Sequence, residues 1–314
     1  MRHVYGPVPS RRLRRSLGVD LVPFKTCSYD CIYCQLGRTT HKTAQRLEYV
    51  SISEIMAELE SLLAQGAAPD YISLAGSGEP TLNSGIGELI RKIKDITSIP
   101  VAVLTNGSLL WRDDVQQELR TADLVLPSLD AGDAALFGLV NRPHEAITFE
   151  RMVEGLATFT RRFTGEVWLE VFLLGGVTGI AREVEKINDL IERIQPRKVQ
   201  LNTVARPPAE DFAFALSMKQ MRALQKVFTC PVELIGENSE ESPPGSGPTV
   251  VDEEQILALL GRRPCTCDDI AKGLGIHVMA AMKKLDPLVA AGKVSSVTLG
   301  GENFYRMKQA SRKG

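Results

Sequence analysis

No stretch of this sequence approaches the roughly 20 consecutive apolar residues that a membrane-spanning helix needs. A helical membrane protein is therefore excluded. Charge of one sign is lacking too: 37 basic residues face 38 acidic ones, for a net charge of -1. That excludes a globally basic nucleic-acid binder, though not a local basic patch. Histidine is scarce, at four residues, and no HExxH, P-loop or Ser-His-Asp arrangement is visible. The opening MRHVYGPVPSRRLRRS carries charge with no apolar stretch behind it, unlike a secretory signal, so a cytoplasmic protein is expected. In that compartment a disulfide framework is not expected. The six cysteines need metal binding or burial as their reason. At 314 residues and 44% hydrophobic composition, the chain can bury one large core, or one large and one small.

Three of the six cysteines fall within eight residues: Cys27-Ser-Tyr-Asp-Cys31-Ile-Tyr-Cys34. Zinc sites usually close with four ligands, often as two distant CxxC pairs. Only Cys31 and Cys34 form a CxxC here, and no second one exists. Three close thiolates without a fourth suit a [4Fe-4S] cluster with one iron left open for an outside ligand. The remaining Cys230, Cys265 and Cys267 match the ligand number of a second cluster, but packing is the expected role.

The pattern CxxxCxxC with aromatic Tyr33 before the last cysteine resembles the signature of the radical S-adenosylmethionine (radical SAM) superfamily. The wider stretch PSRRLRRSLGVDLVPFKTCSYDCIYCQLG resembles the wyosine-synthetase-like members, and the likeness covers about residues 6 to 240. The resemblance implies that Cys27, Cys31 and Cys34 hold a [4Fe-4S] cluster whose open iron binds SAM. It implies reductive cleavage of SAM to a 5'-deoxyadenosyl radical that abstracts hydrogen from a substrate. An external electron donor of the flavodoxin or ferredoxin type follows as a partner, and tRNA is one possible substrate. Two departures argue against wyosine formation itself. Cys27 is the first cysteine, with none upstream for a second cluster, and the strand 167–174 lacks a lysine for a Schiff base.

Along the chain, apolar runs alternate with helical patterns. Strands are expected at 18–22, 71–75, 101–104, 124–126, 167–174, 198–203 and 232–235. Helices are expected at 51–65, 84–96, 112–120, 149–163, 182–194 and 218–228. This alternation predicts a parallel sheet covered by helices. Periodicity alone leaves an open doubly wound sheet and a barrel both standing. The resemblance implies a partial (βα)6 barrel over residues 1–236. Residues 237–248 contain no large apolar side chain and read as a linker. Residues 249–314 carry three helix patterns and a hairpin pattern, resembling a small winged-helix domain.

Polar and glycine residues cluster after the strand ends, the side on which α/β folds build their sites. In Gly76-Ser77-Gly78-Glu79-Pro80 the glycines permit close backbone approach, though a plain turn has the same look. The resemblance implies that Gly78 and Glu79 contact SAM. Asn106, Ser128 and Asp130 offer polar groups suited to ribose hydroxyls or a carboxylate, and could equally be caps or Asx turns. Asn202 resembles an adenine-side residue, and Tyr33 is expected near the same base. Glu170, inside an apolar strand, is costly unless paired or facing a cavity.

The first fifty residues hold nine basic and three acidic side chains, an excess of six. A phosphate-bearing substrate would explain this, as would simple solvation of a barrel end. The rival from another class is an iron-sulfur regulator that binds nucleic acid through its winged helix. It accounts for the cysteines and residues 249–314, but not for Gly76–Pro80 and the polar strand ends.

Overall fold

A computed structural model describes residues 3–236 and 251–308. Contacts divide it into two compact units, residues 1–204 with 209–239, and 205–208 with 240–314. The expected linker at 237–248 lies outside the described residues.

The larger unit is built on an eight-stranded sheet in the order β1 (Val4–Ser10), β2 (Arg14–Asp20), β5 (Tyr71–Ala75), β6 (Val101–Leu104), β7 (Leu124–Leu126), β8 (Glu166–Leu173), β9 (Lys198–Thr203) and β10 (Val232–Leu234). Thr26–Cys27 (β3) and His41–Lys42 (β4) form a separate two-residue pair. From β2 onward each strand of the large sheet runs parallel to its neighbours. Helices return the chain each time: α1 (Ile52–Ala64), α2 (Ile86–Ile96), α3 (Asp113–Leu119), α4 (Ala134–Val140) with α5 (Phe149–Arg162), α6 (Ala181–Ile194) and α7 (Met218–Gln225). Strand order follows chain order, and β1 and β10 are the two edges, so the sheet is an open (βα)6 array rather than a doubly wound one.

Strand periodicity sets the two faces. In β8, Val167, Leu169, Val171 and Leu173 are buried, while Trp168, Glu170 and Phe172 on the opposite face are half-buried. The helices close the buried face with stripes such as Ile86, Leu89, Ile90 and Ile93, none of which is exposed.

Besides the short β3–β4 pair, sequence reasoning missed three further features. β1 is antiparallel to β2, and its sequence VYGPVPS holds two prolines, which suit an edge strand and mask the strand signal. β2 begins at Arg14, four residues before the expected Gly18. Helix α4 has seven residues, too few for a period to emerge, and its only local sign is the Asp133 cap on Leu136 N–H at 2.9 Å. Ser51 holds the cap position of α1, but its hydroxyl pairs with Ser53, and Glu48 accepts the Ile52 N–H at 3.1 Å instead.

The smaller unit has its own core, which includes Ile256, Leu260, Ile270 and Leu285. Its helices are α8 (Glu253–Leu260), α9 (Cys267–Leu274) and α10 (Val278–Ala290), followed by the antiparallel hairpin β11 (Val294–Leu299) and β12 (Glu302–Met307). Capping boxes at Asp252–Gln255 and Thr266–Asp269 start α8 and α9. Among the described residues no helix is long and apolar enough to cross a membrane.

Candidate functional site

The cysteine loop leaves the C-terminal end of β2 and lies against the ends of the next strands. Thr43 N–H donates to the Cys27 carbonyl at 3.0 Å, and Asp30 and Ile32 donate to the carbonyls of Asn141 and Val140. Cys34 N–H closes onto the Cys31 carbonyl at 3.1 Å. The loop is thus held by backbone bonds from two sides before any side chain contributes.

Gly78 has a structural reason to be glycine. A Cβ there would sit 1.8 Å from the Thr26 carbonyl oxygen. Around it, Glu79 N–H donates to that same carbonyl at 3.1 Å, and Lys25 N–H to the Ser77 carbonyl at 2.6 Å. Ser77 is fixed in turn by its N–H and hydroxyl, both donating to Asp20 Oδ1. The strand end after β5 is therefore a seat for the cysteine loop.

Glu79 is buried and works inward. Its Oε1 accepts from Thr81 N–H at 3.0 Å, Thr81 Oγ1 at 2.5 Å and Thr105 Oγ1 at 2.6 Å. Its Oε2 accepts the Asn106 N–H at 2.7 Å. Burial pushes the carboxyl up, and these four donors pull it back. Asn106, held this way, turns its Nδ2 toward Cys27 Sγ at 3.5 Å and Ser28 Oγ at 2.9 Å.

A second carboxylate organises the other side. Asp130 Oδ2 accepts from Tyr33 Oη at 2.5 Å and from Asn141 Nδ2 at 2.7 Å, and Oδ1 accepts the Phe172 N–H at 3.1 Å. Burial raises Asp130 to about 6 against these donors. Asn141 Nδ2 also reaches Cys31 Sγ at 3.5 Å. The Tyr33 ring stacks on Phe172, with centroids 4.0 Å apart. Deeper on β8, Glu170 accepts from Arg12 Nη1 at 2.6 Å and from Asn202 Nδ2 at 2.9 Å.

The geometry thus joins Cys27, Glu79 and Asn106 in one group, and Cys31, Tyr33 and Asp130 in another. Ser128 is half-buried and bridges Glu170 through its backbone. Asn202 meets Glu170 rather than the cysteine loop. Sequence reasoning missed Asn141, which lies 110 positions from Cys31 with no local motif. It also missed Phe172, whose inward place could have been read from the alternation in VWLEVFLL.

Burial pushes the Cys27 thiol up to about 12, with Glu79 adding to it, and also raises Cys31 and Cys34. None is a ready thiolate nucleophile. A bound cationic group would favour their thiolate forms. Among the described residues no three His, Cys, Asp or Glu side chains converge on a point that one ion could fill. A single zinc ion needs such convergence, whereas an iron-sulfur cube takes its thiolates at separate corners. The site is also incomplete as it stands. Tyr29 Oη and Asn141 Oδ1 are buried with no hydrogen-bond partner among the described residues. Both flank the cysteines: Asn141 touches Cys31, and Cys31, Asp130, Glu79 and Cys27 all act on the Tyr29 hydroxyl. Donor chemistry and orphaned atoms both fit a cluster with a polar ligand beside it.

The other cysteines behave as packing residues. Cys265 is buried in the smaller core, Cys267 packs against it, and Cys230 packs against the larger one.

The N-terminal basic residues do not form one patch. Arg14 and Arg15 open β2, at the opposite end from the cysteine loop. Arg12 pairs with Glu170, Arg38 with Glu210, and Arg46 with Asp114 and Glu118.

Comparison with known proteins identifies the family and the fold. The family model described as the radical SAM superfamily matches residues 21–194. A protein of Brachyspira hyodysenteriae named GTPase Obg is 41% identical over 97% of this chain, but the chain spans only 45% of that protein. That name is said of the relative alone, since more than half of it lies outside the match. The UPF0026 protein MJ1312 of Methanocaldococcus jannaschii is 32% identical, over 99% of this chain and 98% of that protein. Among solved structures, a radical SAM methyltransferase from Sphaerobacter thermophilus shares the fold, with a TM-score of 0.57 at 17% identity over 70% of this chain and 66% of that one. The chain belongs to the radical SAM superfamily, alongside the UPF0026 proteins, and is an enzyme that uses a [4Fe-4S] cluster and S-adenosylmethionine.

Proposed function

We propose that Cys27, Cys31 and Cys34 ligate the cluster, and that SAM lies between it and the strand ends at Gly78, Asn106, Ser128 and Asp130. When bound, the cluster and SAM supply a one-electron cleavage whose product radical abstracts hydrogen from a substrate. The observation that carries this reading is the pair of orphaned buried atoms, Tyr29 Oη and Asn141 Oδ1, flanking the cysteine loop. Glu79 serves as a positioning residue, because its carboxylate is fully engaged in placing Asn106 and the Thr81 turn. Tyr33, stacked on Phe172 and tied to Asp130, offers the flat apolar wall that an adenine needs. Asn202 belongs to the deeper Glu170 group and supports that wall from below.

The test is anaerobic reconstitution with iron and sulfide, followed by reduction with dithionite in the presence of SAM. Wild type should form 5'-deoxyadenosine, and each single Cys→Ala variant should not. Absence of product from iron-loaded wild type, even with cell lysate as substrate source, would sink the assignment. In the cell we assign the reductant to a flavodoxin or ferredoxin type of protein.

We assign residues 1–236 to the catalytic domain and residues 249–314 to a winged helix. The support is topological. The order α8, a single bridge residue at Cys265, α9, α10 and a hairpin follows the winged-helix order, and Cys265 bridges Tyr305 of β12. The exposed side of α10 shows Met279 and Met282 beside Lys283, and the nearby Lys293 is paired with Glu253. That face favours protein contact over nucleic acid. The stretch 9–37 carries the specific part of the likeness to wyosine-synthetase-like proteins, and the dispersal of the N-terminal arginines weakens tRNA as substrate.

A further inference from the structure

Two carboxamides reach the sulfurs of the cysteine loop from outside it. Asn106 Nδ2 lies 3.5 Å from Cys27 Sγ, and Asn141 Nδ2 lies 3.5 Å from Cys31 Sγ, both within range for a sulfur acceptor. Each is anchored to a buried carboxylate. Glu79 holds Asn106 through its backbone N–H, and Asp130 holds Asn141 through its side chain. Asn106 is further fixed by its Oδ1, which accepts the Ser108 N–H at 2.9 Å. Neither amide can turn away without leaving a buried partner unpaired. No side-chain amide serves Cys34 among the described residues.

We propose that Asn106 and Asn141 are positioning residues that set the reduction potential of the cluster, by donating hydrogen bonds to two of its three thiolates. The inference rests on the ligand assignment above. Its physics is simple. When an external donor gives the cluster one electron, negative charge on the thiolate sulfurs grows. An N–H aimed at such a sulfur stabilises the reduced form more than the oxidised one. Hydrogen bonds to the sulfurs are among the factors that set cluster potentials. The two donors therefore raise the potential and ease reduction by a weak donor. This role is additional to the SAM-side position given to Asn106 above.

The test uses full-length protein, anaerobically reconstituted and titrated with dithionite under electron paramagnetic resonance. Asn106→Ala and Asn141→Ala should each cut the reduced-to-oxidised ratio at fixed potential about tenfold, a fall of about 59 mV for one electron. Iron and acid-labile sulfide should stay at the wild-type level. An unchanged midpoint with full iron overturns the proposal. If a variant loses its cluster, wild-type protein labelled with 15N on asparagine side chains decides the matter. Pulsed resonance should show nitrogen coupled to the reduced cluster, and its absence overturns the proposal. Failure of wild type itself to bind iron would instead overturn the ligand assignment, so the two outcomes are distinguishable.

Discussion

Replacing Glu79 with glutamine keeps the shape of the side chain and removes one acceptor. Four donors meet the carboxylate: two backbone N–H groups, of Thr81 and Asn106, and two hydroxyls, of Thr81 and Thr105. Hydroxyls can rotate to accept from an amide, but a backbone N–H cannot. In either amide orientation one N–H therefore faces a donor. An orphaned buried donor costs about 1–3 kcal/mol. Burial already pushes Glu79 up, so removing its charge returns part of that. The net expectation is a loss of about 2 kcal/mol for Glu79→Gln, and about 4 kcal/mol for Glu79→Ala, which orphans both N–H groups. For a unit of this size that means a drop of about 4–8 °C in Tm for the glutamine variant. Thermal and urea unfolding of the iron-free protein read this directly, and the larger unit must be followed by a probe of its own. Iron uptake should fall in parallel, because the Thr26 carbonyl, next to Cys27, hangs on the same turn through the Glu79 N–H. A glutamine variant within about 0.5 kcal/mol of wild type would refute the reasoning, since that is the range of an ordinary surface substitution.

Gly78→Ala puts a methyl 1.8 Å from the Thr26 carbonyl, so the loop must move; iron retained after desalting should drop several-fold, whereas Gly138→Ala, an ordinary helical position that meets no neighbour, should keep it. In the iron-free protein Asp130 holds its proton more tightly than the unfolded chain does, at about 6 against 3.8. That contribution is full below about pH 4 and is lost as pH rises through about 6. The gap is worth about 3 kcal/mol, and Asp130→Asn should flatten the stability profile across this window. Glu170→Ala leaves the half-buried Arg12 without its partner, while Glu170→Gln keeps a hydrogen-bonding group for it. We expect urea unfolding to rank alanine below glutamine by about 1–3 kcal/mol, and equal midpoints would show that the pair does not hold the β1–β2 turn.

The parts legible in the sequence were those governed by local rules. The cysteine spacing is a ligand pattern in itself. Runs such as Val101–Leu104 and stripes such as Ile86–Ile93 announce strand and helix at close to their observed ends. What escaped depends on long-range pairing. Asn141 carries no motif and matters only because α4 ends beside Cys31. Glu79 was legible as a site residue but not in its role, because the four donors that engage it come from separate turns. The N-terminal arginines show the reverse error. Composition gathers them into one basic edge, yet β2 runs away from Arg14 and Arg15 for its whole length before the cysteines begin, about 20 Å at strand rise.

The direction of β2 also bears on what the enzyme can accept. Arg12 could have offered its charge to a phosphate at the open end of the array. Instead it enters the array at the far end from the cysteines and neutralises Glu170, which sits one inward step below Phe172 on β8. Inward positions on β8 and β9 are therefore lined by Glu170, Gln200 and Asn202, while those on β6 and β7 carry Ala102, Leu104, Leu124 and Leu126. Gln200 is fully buried, and its Oε1 has no partner among the described residues. A wall of hydrogen-bonding groups with no surplus charge adds no electrostatic attraction for a polyanion.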